Sequence, residues 1–387
     1  MSEQQPVTDI PGIDPDRQRV AQEYARLRYR LLALDLALSA AYVLLWLFSG
    51  LSVAVRERLA TLSQWPLFVV AGYTIVFFAA YGLLLAPLGY YSGFVLPHRY
   101  GLSTQTRRGW IVDMVKSSAL GGAMTLLVME VLYALLRMAP ETWWLYMAAF
   151  LLFVQVVLAT LAPILIMPIF WKLRPLADEV LAERLENLAR RAGQRVRGVF
   201  VMDMSTRTRA ANAMLMGLFG TRRIVLGDTL LDQYTPDEIE TILAHELAHH
   251  VHHDIGWSIV LDVFHTIIVL YLSHLTLRWG LARAGFAAPG DVAAFPILAA
   301  VLGGFSVLTT PLTNAYSRWR ESLADGYALV MTGNANAFIS SEVKLVNQNL
   351  AVLWPEAWVE ALLYTHPAPG RRITRAMAFQ REKEGTQ

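Results

Sequence analysis

Long apolar stretches separated by short polar loops organise this chain. Six of them, at 31–53, 67–91, 117–137, 143–170, 255–279 and 293–313, are each long enough to cross a hydrocarbon core of about 30 Å as a helix. The sixth is interrupted by Pro296 and the pair Gly303-Gly304. Glu130, Gln155, Asp262, His265 and His274 lie inside otherwise apolar stretches. Polar groups at such depth are costly unless they face water or one another, so these five either line an aqueous space or hydrogen-bond between helices. Asp262 and His265, three apart, are candidates to pair. Ahead of the first stretch, 1–16 reads as a disordered polar tail without a cleavable signal peptide, and 17–30 as a charged helix with five arginines.

Between the fourth and fifth stretches the pattern changes. Residues 176–192 have helical periodicity, with Leu176, Val180, Leu181, Leu185 and Leu188 set between charged positions. Short β-like runs follow at 199–202, 210–216 and 224–226, the last after a Gly220-Thr221 turn. The expected fold is therefore a mainly α, polytopic membrane protein with about six transmembrane helices and a small α/β insert at 172–254. The run 210–216 has two open readings: a plain sheet strand, or an edge that pairs with an extended peptide. The expected organisation is a tail and charged helix at 1–30, a four-span membrane domain at 31–170, and a third part at 171–387 that holds the remaining spans.

Basic residues set the orientation. Nine of them (Arg17, Arg19, Arg26, Arg28, Arg30, Arg99, Arg107, Arg108, Lys116) flank one side of the spans and five (Arg56, Arg58, Arg137, Arg278, Arg283) the other, which places both termini and the insert in the cytoplasm. A hydrophobic content of 55% agrees with a bilayer as solvent. There is no cysteine, so any metal site must use histidine and carboxylate. A net charge of +2 without a basic tract gives no case for nucleic acid as a partner.

The insert ends in Thr235 to Asp254, TPDEIETILAHELAHHVHHD. Thr235 is a good N-cap, Pro236 suits the first helical position, and Glu238 completes a capping box. Ile239, Ile242, Leu243 and Leu247 form an apolar stripe that would bury the helix. His245 and His249, four apart, project from one face about 6 Å apart, close enough for both to ligate one zinc ion. Glu246 beside them can take a proton from the attacking water. His250, His252 and His253 follow at once, which leaves open a solvated histidine-rich helix end. A third ligand is offered at 314–330, where Glu321 and Asp325 share a helix face. Glu321 would complete the zinc set, and Asp325 would fix the tautomer of a ligand histidine. Alternatively that face is simply solvated and paired with Arg318 and Arg320.

Together these residues resemble the type I CAAX prenyl protease family of integral-membrane gluzincins. The resemblance rests on His245-Glu246-Leu-Ala-His249 and on Glu321-Ser-Leu-Ala-Asp325 preceded by Ser317-Arg318. It extends to 98–106 (HRYGLSTQT) with Asp113 and Lys116, to Ala211-Asn212-Ala213 with Gly217 and Asp228-Thr229-Leu230, and to 366–372 (HPAPGRR). It implies membrane helices around a water-filled chamber, with zinc at its cytoplasmic rim held by His245, His249 and Glu321. Glu246 is then the general base, Asp325 and Arg318 support the ligands, and Asn212 and Ala213 bind substrate. His366 and Arg372 would stabilise the oxyanion or bind a substrate carboxylate. The expected activity is zinc endopeptidase action on a peptide or protein, with a lipidated or CAAX-like C-terminus among the candidates. The alternatives are a heat-shock-type quality-control protease and a non-catalytic scaffold, whose signature would be loss of the glutamate at 246. The preference for arginine over lysine, with many alanines, suits a GC-rich bacterium, and the expected location is its inner membrane.

Overall fold

The computed structural model describes residues 10–217, 222–284 and 288–385. Helix α1 (Pro15–Phe48) opens on Asp14, whose carboxylate accepts from the backbone of Asp16 and Arg17. The expected charged helix and first span are thus one rod. Part of the expected tail is also anchored: Ile10 packs with Val343, Val346, Leu353 and Ile373. Residues 1–9 of that tail lie outside the described residues. Gly50, at φ 76°, allows the sharp turn into the short helix α2 (Leu51–Leu62).

Helix α3 (Pro66–Tyr90) passes through a π turn at Tyr91–Val95 into α4 (Leu96–Arg99). Helix α5 (Arg107–Met138) follows, and α6 (Trp143–Leu161) passes through a second π turn at Ala162–Ile166 into α7 (Met167–Phe170). Pro97 and Pro168 stand two residues past the ends of these turns. Proline has no N–H to close an ordinary helical turn, and the chain widens just before it. Helices α1, α3, α5 and α6 pack around Trp46, Tyr73, Phe77, Tyr133 and Trp143.

The insert is a four-stranded sheet in the order β1-β2-β4-β3. Its strands are β1 (Leu173–Pro175), β2 (Val199–Met202), β3 (Ala213–Met216) and β4 (Arg223–Gly227). β2 and β4 are parallel, and both outer strands run antiparallel to their neighbours. β1 had no apolar alternation to announce it. The expected turn at Gly220-Thr221 lies outside the described residues. One face of the sheet carries Val199, Ala213, Ile224 and Leu226 into a core with α8 (Glu179–Arg191) and α10 (Pro236–Val251). Between them a short helix, α9 (Asp228–Leu231), closes the turn after β4.

Helix α11 (Asp254–Ala284) re-enters the bundle, and α12 (Phe295–Thr332) leaves it. The fold then closes with α13 (Ala335–Gln348), α14 (Ala357–Leu363) and α15 (Pro369–Gly385). Among the described residues six helical segments are long and apolar enough to cross a membrane, matching the six apolar stretches. The expected interruption of the sixth does not occur. Pro296 falls in the first turn, where no N–H is missed, and Gly303-Gly304 is accommodated within a helix of 38 residues. At 1.5 Å per residue that helix is about 57 Å long, so it must project well beyond a hydrocarbon core of about 30 Å.

Four of the five polar residues in the spans bond between helices. Gln155 donates to Asp262 over 3.0 Å, His265 lies 3.0 Å from the Thr309 hydroxyl, and Trp143 donates to His274 over 3.2 Å. Asp262 and His265 therefore do not pair with each other, because closer partners stand on neighbouring helices. Both carboxylate oxygens of Glu130 are buried without a hydrogen-bond partner.

Candidate active site

The helix bearing His245 and His249 begins as expected. Thr235 accepts from the Glu238 backbone, Glu238 accepts from the Thr235 backbone, and Leu243, Ala244, Leu247 and Ala248 are fully buried. That burial fixes the opposite face, where the His245 and His249 ring centroids lie 5.1 Å apart. Helix α12 crosses this face and delivers Glu321 between them: His245 Nε2 is 3.0 Å from one of its oxygens, and His249 Nε2 is 3.6 Å from the other. The three donor atoms lie within 4.8 Å of one another. Tetrahedral zinc with bonds of 2.0–2.1 Å separates its ligands by about 3.3 Å, so the set fits such an ion.

The charge balance also favours a cation. Burial opposes protonation of His245, but hydrogen bonds to Asp325 and Glu321 outweigh it and push its pKa up to about 10. Burial holds the His249 pKa down. Glu246 lines the same cleft, and its carboxyl is raised above the ordinary range by burial, although both histidines pull it back.

Each of the two candidate ligand histidines is oriented by an aspartate, and each aspartate is held by an arginine. His245 Nδ1 is 3.0 Å from Asp325, which takes two bonds from Arg372, 2.9 and 2.6 Å long. His249 Nδ1 is 2.8 Å from Asp254, which is paired with Arg320. Such carboxylate contacts fix the tautomer and raise the basicity of a metal-binding imidazole. Asp325 is at its expected place. Asp254 reaches His249 only because His253 adopts a left-handed φ of 55° between α10 and α11.

Arg372 also donates to Glu342 over 2.8 Å. All three of its nitrogens therefore bond carboxylates, and these partners hold its pKa above the usual guanidinium value against the effect of burial. Arg318 does not reach the candidate ligands His245, His249 and Glu321. It donates to the Glu360, Ala361 and Tyr364 carbonyls, while Glu360 accepts from the Ala368 backbone and from Arg371. Together they fasten the loop bearing His366, whose Nε2 stands 3.3 Å from Glu321. Asn212 and Ala213 line the cleft across from His366, where β3 begins.

The 98–113 segment clamps the approach to β3. Ser103 bridges Thr208, Arg209 donates its N–H to Leu102 over 3.0 Å, and Arg207 pairs with Asp113 at 2.8 Å. Sequence reasoning missed roles for Asp254, Arg320, Glu342 and His250. The partners of the first three lie on other helices or past a backbone kink, so helical spacing gives no sign of them.

Two family models match the chain. Residues 175–379 match peptidase family M48 and residues 4–172 match the CAAX prenyl protease N-terminal region, described as five membrane helices. The chain belongs to peptidase family M48. Among its M48-type relatives, CAAX prenyl protease 1 of Saccharomyces cerevisiae is 32% identical over 320 residues, covering 77% of this chain and 69% of the relative. The uncharacterised metalloprotease YhfN of Bacillus subtilis is 29% identical over 377 residues, covering 94% and 86%. In fold, the chain is similar to the crystal structure of S. mikatae Ste24p, with a TM-score of 0.86, 24% identity, and 97% and 92% of the two chains covered. M48 membership makes this chain a membrane metalloprotease and implies a metal, typically zinc.

Proposed function

We propose that the chain is a zinc endopeptidase that hydrolyses peptide bonds at the cytoplasmic face of a bacterial inner membrane, with CAAX prenyl protease-like specificity. The cluster of His245, His249 and Glu321, beside a cleft lined by His245 and Glu246, supports the reaction. The excess of basic residues at the N-terminal flank and second loop supports a cytoplasmic cleft and cytoplasmic termini. A prenylated substrate rests on the similarity to CAAX prenyl protease 1 of Saccharomyces cerevisiae and its homolog in Arabidopsis thaliana.

Zinc, when bound by His245, His249 and Glu321, supplies Lewis acidity to the scissile carbonyl and to the attacking water. Glu246 accepts the proton of that water and carries it to the leaving amine, a task suited to a carboxyl tuned upward by burial. His366 Nε2 faces the same space and donates to the developing oxyanion. Asn212 and the outer edge of β3 hold the peptide extended, in the manner of an added strand. Asp325 and Asp254 keep the two imidazoles aimed, and Arg372 keeps Asp325 in place.

The test is cleavage, read by mass spectrometry, of a farnesylated CAAX peptide and its unprenylated twin by detergent-purified protein and its Glu246→Ala variant. Cutting of the lipidated peptide alone, dependent on Glu246, supports the full reading. Equal cutting of both peptides favours a quality-control endopeptidase, and no cutting by zinc-loaded protein favours a scaffold.

A further inference from the structure

β3 is the outer strand of the sheet, so half of its backbone groups are not used by β4. Gly227 donates its N–H to the Asn212 carbonyl over 2.9 Å, and Asn212 is followed by the register Ala213 to Leu226 and Met214 to Val225. In an antiparallel pair such bonded positions alternate. Residues 212, 214 and 216 thus turn their N–H and C=O toward β4, and Ala213 and Leu215 turn theirs outward. A peptide added to this edge would read Ala213 first, beside the metal ligands, and Leu215 next, about 7 Å farther on.

The outward carbonyl of Leu215 is already taken. His250, the residue after the second zinc histidine, is 8% exposed and holds its Nε2 3.2 Å from that oxygen. A carbonyl only accepts, so Nε2 carries the hydrogen. The ring fills the place where a guest strand would donate its own N–H.

We propose that His250 ends the substrate ladder. An antiparallel guest paired with Ala213 places its residues upstream of the scissile bond toward Leu215, and there backbone recognition stops. The enzyme then reads only the few residues next to the cleaved bond and is indifferent to the chain beyond. This inference rests on the proposed peptidase reading of the cleft and on β3 as its substrate edge.

The experiment measures binding of dansylated, farnesylated CAAX peptides, lengthened upstream one residue at a time, to zinc-loaded Glu246→Ala protein. The same series is then measured with His250→Ala or His250→Gln added. In the parent the Kd reaches a plateau about one residue upstream of the position paired with Ala213, short of the residue that would pair with Leu215. With His250→Ala, one further residue tightens binding about fivefold, the equivalent of one net hydrogen bond of about 1 kcal/mol. N-methylation of the amide aimed at Leu215 abolishes that gain. His250→Gln, whose amide reaches the same carbonyl, restores the plateau, which a merely structural role would not require. The same length dependence in parent and His250→Ala, or no binding by any peptide, overturns the inference. Intact binding without turnover by the Glu246-containing enzyme counts against the proposed reaction alone.

Discussion

Arg372→Met separates two roles for one cation. The family resemblance implies that Arg372 lies over the active site, where a free guanidinium would serve an oxyanion or a substrate carboxylate. Its Nε and two terminal nitrogens instead bond Asp325 and Glu342 over 2.6–2.9 Å, and all three side chains are nearly inaccessible. Removing the cation leaves two carboxylates facing each other in a buried site, and breaking a buried ion pair from one side costs about 3–5 kcal/mol. That is a large share of the roughly 5–15 kcal/mol by which a typical protein is stable. Asp325 would also release His245, with an expected loss of about 10–100-fold in zinc affinity. The assays are denaturant unfolding in detergent and metal content after dialysis against graded chelator. Adding Glu342→Gln removes the like-charge repulsion and should recover about 1–3 kcal/mol. A variant with unchanged stability and metal content, and a fall in kcat alone, would refute the reasoning and make Arg372 a group that acts on substrate.

Asp254→Asn removes the carboxylate on His249 and strands Arg320, and zinc affinity should again fall about 10–100-fold, measured by competition with a chelator. His253→Gly, at a left-handed φ of 55°, should keep stability and metal content, whereas His253→Val should lose about 1–2 kcal/mol on unfolding and shed metal as Asp254 shifts. For Glu238, burial favours the neutral form. Bonds from Lys344, Ser340 and the Thr235 backbone outweigh it and hold the carboxyl below its ordinary 4.5. A lowered folded pKa means that this stabilisation is complete above about pH 4.5 and is lost as pH falls through the folded value. Glu238→Gln should therefore flatten the acid limb of the stability curve below about pH 4.5, leaving the limb above it parallel to wild type.

The six spans and the zinc helix were legible because both depend on local signals: long apolar runs, and a capping box followed by a stripe at helical spacing. The candidate metal donors stood out for the same reason, His245 and His249 lying one turn apart on one helix and Glu321 sharing a face with Asp325 on another. What binds those elements together was not legible. β1 is three residues with a proline, too short to show alternation. Arg318 stands one turn before the Glu321-Asp325 face, yet the chain folds α14 back against it and draws it to backbone carbonyls. Glu342 sits on an ordinary amphipathic helix, and only Arg372, thirty residues on, gives it a purpose. Pro296 looked like a break and is a helix start, because its effect depends on which turn it occupies.

The metal donors are split across α10 and α12, and the arginine that steadies them is on α15. In a ribosome working at about 5–20 residues per second, the 72 residues from His250 to Glu321 take about 4–14 s to make, and Arg372 arrives later still. Throughout that interval the nascent chain has two histidines on a finished helix and no third donor. On the proposed reading, a half-made chain holds two of the three metal donors, and the site is complete only once α12 and α15 are in place.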